Sequence, residues 1–136
     1  NSSFTKLAGT VRGLHRQRSP HEEDKIVRCV AGKIYDVMLD NREDSTTYGQ
    51  WHGVILDAEK MNMVYVPKGF AHGFQTLTSN CQVLYLHTQS HCPEAEDGFH
   101  YNSPELAIPW PLEVTDLSDR DEMLGFFTKT QTRKLS

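Results

Sequence analysis

Two stretches of this chain carry side chains that can move protons or bind a metal. The first is Arg12-Gly13-Leu14-His15-Arg16-Gln17, an imidazole between two guanidinium groups. The second, Pro67-Lys68-Gly69-Phe70-Ala71-His72-Gly73-Phe74, has the form Pro-x-Gly-x-x-His, a turn that hands a histidine to the residues after it. Near neutral pH an imidazole serves as acid, base or metal ligand. His15, Glu22 and His72 would supply three donors to a weak metal site. Gln17 stands where a second imidazole would strengthen that site, and an amide oxygen is a poor replacement. The other use of His15 and His72 is proton transfer with no metal. His21, His52, His91 and His100 fall in no pattern that lifts them above ordinary surface or core histidines.

The elements that must position these groups read as short β-strands between turns. Strands are predicted over 26–30 and 33–39, joined around Ala31-Gly32, where glycine supplies the positive φ of a tight turn. Further strands are predicted over 51–56, 61–66, 74–77 and 82–88. Residues 101–111 carry three prolines and should be irregular. One helix is predicted over about 118–127, with Ser118 as its cap. Many short strands at roughly ten-residue intervals indicate an all-β sandwich or barrel. Alternation puts Val83, Tyr85 and His87 on one strand face and Leu84 and Leu86 on the other. It likewise groups Ile34, Asp36 and Met38 against Tyr35, Val37 and Leu39. Faces that mix apolar and titratable groups suit a lumen holding a polar ligand.

Composition narrows the function classes. At 136 residues the chain is a single domain, 1–136. Its 38% hydrophobic and 24% charged residues are those of a globular protein, and no apolar run approaches membrane-spanning length. A net charge of −4 without a basic cluster argues against a nucleic-acid surface. Three cysteines, Cys29, Cys81 and Cys92, are widely spaced with no C-x-x-C. They argue against a disulfide framework or thiolate zinc site and fit a reducing, cytoplasmic setting, with Cys29 as a small buried residue.

The motifs together resemble the dTDP-4-dehydrorhamnose 3,5-epimerase family of nucleotide-sugar epimerases, homodimers of cupin fold. The resemblance rests on Gly9-Thr10-Val11-Arg12-Gly13-Leu14-His15-x-Gln17, Lys25-Ile26-Val27-Arg28, Gly32-Lys33-Ile34-Tyr35-Asp36-Val37, Thr47-Tyr48-Gly49-Gln50-Trp51, the Pro67 to Phe74 segment, Leu84-Tyr85, Pro93-Glu94, Ile108-Pro109-Trp110-Pro111 and Leu117-Ser118-Asp119-Arg120-Asp121. It implies a cupin-type jelly-roll barrel or sandwich with a short C-terminal helix. It also implies a further segment ahead of the position matching Asn1.

Carried over residue by residue, the resemblance makes His15 the general base and Asp121 the carboxylate that orients it. Tyr85 is the acid, and Lys25 sits beside the keto oxygen. Arg12 meets the diphosphate, with Gln17, His72, Asn1 and Ser118 completing the substrate site. The implied substrate is a 4-keto-6-deoxyhexose on a nucleoside diphosphate, and the chemistry calls for no cofactor. Taken singly, Lys25 also reads as a solvated strand-end lysine, Asp121 as a first-turn helix carboxylate and Tyr85 as a barrel-filling aromatic. The sequence departs from the family at Arg16, where an aromatic is usual, at Tyr101-Asn102-Ser103-Pro104 and at Ser90-His91. Double and single epimerisation both remain open. A metal-dependent cupin using His15, Glu22 and His72 is the competing reading, and a non-catalytic sugar-nucleotide binder the third.

Overall fold

A computed structural model describes residues 1–129 of the chain. Nine strands form two antiparallel sheets, with a 3₁₀ turn at Pro93–Ala95 and one α-helical turn beside them. β1 (Ser2–Thr5), β8 (Cys81–His87), β3 (Lys25–Ala31) and β6 (Met63–Val66) lie side by side in that order. The second sheet has the order β5 (Trp51–Asp57), β4 (Lys33–Asp40), β7 (Phe70–Thr76), β2 (Val11–Gln17), β9 (Glu96–Gly98). This is the predicted all-β, jelly-roll sandwich, and the short helix α1 (Asp119–Glu122) follows it.

Two cores hold the sheets. Val27, Cys29, Val66, Cys81 and Val83 of the first sheet meet Ile34, Leu56 and Phe74 of the second, all buried. Each such aliphatic or aromatic side chain contributes about 1.5–3 kcal/mol on leaving water. On the far side of the five-stranded sheet, Leu14, Val37, Leu39 and Ala71 pack under Tyr48, Leu106 and Phe127 from the loops. The five-stranded sheet is therefore covered on both faces. The four-stranded sheet leaves its outer face open, with Phe4, Ile26, Val30, Met63, Tyr65, Leu84 and Leu86 exposed.

Three strands escaped the sequence pattern: β1, β2 and β9. β1 and β9 are only 4 and 3 residues long. β2 has polar residues on its inward side and an irregularity between Arg12 and His15, so it shows no apolar alternation. Gly13 sits at that irregularity with φ +108, and a Cβ there would lie 2.6 Å from His72 O and 2.7 Å from the Cα of Gly73. A bulge of this kind re-aims the following side chain. The helix prediction overran. α1 stops at Glu122 because the chain beyond it is held by other bonds: His100 N donates to Gly125 O, Phe127 N to Ser103 Oγ, and the Phe127 ring enters the second core. The 101–111 segment is irregular, as its prolines require.

Candidate active site

A cleft of about 270 Å³ opens between the two sheets at one end of the sandwich. Its size and its mix of apolar and convergent polar groups are those of a small-molecule site. Each sheet supplies one wall.

The five-stranded wall carries two imidazoles, His15 on β2 and His72 on β7, register partners across the strand pair. Each is held by a carboxylate through Nε2. His15 pairs with Asp121 Oδ1 at 2.5 Å, and His72 with Asp36 Oδ1 at 2.7 Å. Asp121 also accepts from Gly13 N at 3.1 Å, while its own backbone N–H donates to Ser118 Oγ. Burial pushes the Asp121 carboxyl up; the His15 contact and the Gly13 and Ser118 bonds outweigh it, and the carboxyl lies below its ordinary value. With Nε2 committed to Asp121, Nδ1 is the His15 nitrogen left for chemistry. Its nearest charge is Glu96 at 3.8 Å, and Glu96 also meets Arg120 at 3.1 Å and His91 at 3.5 Å.

The four-stranded wall carries Tyr85 on β8 and Lys25 on β3. The Tyr85 hydroxyl lies 3.3 Å from Ser3 Oγ, and its ring packs edge-on to His72 with centroids 6.5 Å apart. Burial pushes the phenol up to about 12. Lys25 Nζ stands 3.6 Å from Glu23 Oε1, and Glu23 Oε2 is 2.9 Å from His87 Nδ1. Arg12, also lining the cleft, bonds Thr5 Oγ1 through Nε.

His15, Lys25, Tyr85, Asp121, Arg12, His72, Asn1, Gln17 and Ser118 all line this one cleft. Asn1 reaches it by exchanging two hydrogen bonds with the Tyr85 backbone. Two of these residues have their polar atoms engaged with the chain itself. The Gln17 amide donates to His21 O and Ser90 O and accepts from Cys92 N, so it braces loops. The Ser118 hydroxyl caps α1 and thereby seats Asp121.

The metal arrangement is not formed. His15 and His72 each present Nε2 to a separate aspartate, and the wall holds Glu23, not Glu22. Among the described residues no three His, Cys, Asp or Glu side chains are grouped to hold a metal ion. Arg16, which stands where the family usually has an aromatic, lines the cleft and is paired with Asp97 at 2.8 Å. Sequence reasoning missed Glu23, Glu96 and His91, which lie where no periodic pattern points; alternation had put Asp36 and His87 on the right faces without giving either a role.

The fold and cleft define a cupin-type sandwich in which a carboxylate-held imidazole and a tyrosine line opposite walls of one cleft. The chain belongs to the dTDP-4-dehydrorhamnose 3,5-epimerase family, whose profile matches residues 1–129. It is 42% identical over 118 residues to the dTDP-4-dehydrorhamnose 3,5-epimerase of Methanothermobacter thermautotrophicus, covering 85% of this chain and 63% of that protein. The crystal structure of the dTDP-6-deoxy-D-glucose-3,5-epimerase of Legionella pneumophila, in complex with dTDP-4-keto-L-rhamnose, superposes with a TM-score of 0.88 at 42% identity, over 93% of this chain and 66% of that one. A 3'-monoepimerase from Streptomyces bikiniensis in complex with dTDP-quinovose superposes with a TM-score of 0.89 at 32% identity, over 99% of this chain and 67% of that one. The chain spans about three fifths of the length of the curated relatives it matches.

Proposed function

We propose that this protein epimerises a nucleoside-diphosphate 4-keto-6-deoxyhexose at C3, C5 or both. The observation that carries the reading is the opposition of His15–Asp121 on one wall to Tyr85 on the other. Inverting a carbon next to a ketone means removing a proton from one face and returning one to the other. His15 Nδ1 takes the proton; Asp121 holds the tautomer and steadies the imidazolium. Tyr85 gives its phenolic proton from the opposite wall. Acid–base help of this kind supplies roughly 10²–10⁴-fold per group. Between the two transfers the electrons sit on the C4 oxygen as an enolate, and Lys25 is the cation for it, with such a donor worth about 3–4 kcal/mol of barrier. The ketone supplies the acidity, so no metal or redox step enters. Arg12 pairs with the diphosphate through its guanidinium.

Incubation with dTDP-4-keto-6-deoxyglucose in D₂O, followed by NMR, tests this. Deuterium at C3 and C5 is expected from double inversion, and at one carbon from single inversion. No exchange at either would overturn the reading.

The protein would work as a homodimer in the cytoplasm. Support for the dimer is the open face of the four-stranded sheet. There Ile26, Leu86 and Tyr65 form one cross-strand row and Arg28, Leu84 and Met63 the next. Support for the compartment is the free thiol state of Cys29, Cys81 and Cys92. No helix among the described residues is long and apolar enough to cross a membrane.

A further inference from the structure

The four-stranded wall holds a third imidazole–carboxylate pair, His87 with Glu23, that the mechanism above does not use. We propose that His87, held by Glu23, returns the proton that Tyr85 gives up, resetting the acid between turnovers. This rests on the epimerase reading.

The need follows from proton balance. After one inversion the imidazole of His15 holds a proton taken from the sugar, and Tyr85 is a phenolate. The next inversion requires His15 to lose that proton and Tyr85 to regain one. His15 has a way out: Nδ1 faces Glu96, which is paired in turn with the exposed His91. Tyr85 is enclosed. Its hydroxyl touches Ser3 Oγ, but an aliphatic hydroxyl passes a proton on without storing one. Its edge-on neighbour His72 is only 5% exposed and is bound to Asp36, so it has no supply from solvent.

His87 meets both requirements. Its ring lies alongside that of Tyr85, centroids 5.9 Å apart and planes within 28°, so an imidazole neighbours the phenol on the same strand face. Its side chain is 25% exposed, in touch with bulk water, while the Glu23 side chain is 9% exposed. Glu23 takes Nδ1, which fixes the ring and leaves Nε2 to work. In the resetting step the Nε2–H bond breaks and the phenolic O–H bond forms. His87 then recovers a proton from solvent, and Glu23 keeps its charge throughout. The phenolate of a phenol raised to about 12 by burial is basic enough to draw that proton. His87 acts through Tyr85 and needs no contact with the sugar.

The test compares first and later turnovers of wild type and His87→Gln, by rapid quench with dTDP-4-keto-6-deoxyglucose in D₂O. Glutamine keeps a polar contact to Glu23 and cannot cycle a proton. The first inversion, which uses the proton already on Tyr85, should stay within about twofold of wild type, and steady-state kcat should fall about 10²-fold. The trace then shows a burst of one inversion per site, and added imidazole restores the later ones. An unchanged kcat, or equal loss in first and later turnovers without imidazole rescue, overturns the role of His87. A wild type that exchanges deuterium in the same experiment shows that such a failure belongs to His87 alone; a wild type that does not removes the epimerase reading and this inference with it.

Discussion

The two walls of the cleft are built to different standards. On the five-stranded wall, His15, Asp121, His72 and Asp36 hold one another at 2.5 and 2.7 Å, with Gly13 and Ser118 locking Asp121. Cores back that sheet on both faces. On the four-stranded wall, Tyr85 and Lys25 have contacts of 3.3 and 3.6 Å, and the far face of their sheet is bare. The difference teaches where each half of the chemistry gets its precision. The proposed base is positioned by its own chain, whereas the proposed acid and cation rest on strands whose outer face is exposed.

The largest expected effect tests the rigid wall. Asp121→Asn keeps the shape but no longer steadies an imidazolium, and kcat measured by the NMR assay should drop about 10⁴-fold. A drop under tenfold would show that the base wall does not depend on its carboxylate. On the other wall, Lys25→Met removes the cation proposed to face the enolate, and kcat should fall about 10²–10³-fold with KM moving less. Next comes the cover. Ile26 sits beside Lys25 and pairs in register with Leu86, the neighbour of Tyr85, on the outer face. Ile26→Glu should therefore turn a dimer into a monomer in sedimentation and lower kcat about tenfold or less. Full activity in a proven monomer would mean that the acid wall needs no cover.

The two smallest effects are read by pH. Asp121 has its carboxyl below the ordinary 3.8, so the stability it contributes is complete above that value and is lost as pH falls through the lower folded value. Acid unfolding of Asp121→Asn should begin from a less stable protein and show a shallower pH slope there. Tyr85 is raised, so its contribution is present below the ordinary 10.0 and is lost as pH climbs toward about 12. The tyrosinate absorbance difference between wild type and Tyr85→Phe should stay flat through pH 10.0 and grow only toward that higher value.

How much of this was legible beforehand divides along the same line. β3, β4, β5 and β8 announce themselves because they carry alternating apolar residues into a core, and the same alternation put Tyr85, His87 and Asp36 on the lumen side. β2, which bears His15, was illegible as a strand because its inward side is polar and its register shifts between Arg12 and His15. The His72–Asp36 contact joins residues 36 apart, and His15–Asp121 residues 106 apart. No local pattern announces such pairings, and only the family resemblance supplied the second. Glu23 and Glu96 lie at a strand's edge and at the start of a three-residue strand, where periodicity carries no information.

The place of the base is set, in the end, by atoms that are not there. β2 and β7 approach so closely that a Cβ on Gly13 would meet His72 O at 2.6 Å, and one on Gly73 would meet Arg12 O at 2.5 Å. Either methyl would pry the strands apart between the two histidines. For anyone reshaping this cleft toward another sugar, the rim and the acid wall are open to redesign, and these two hydrogens are the fixed datum from which every other position in the site is measured.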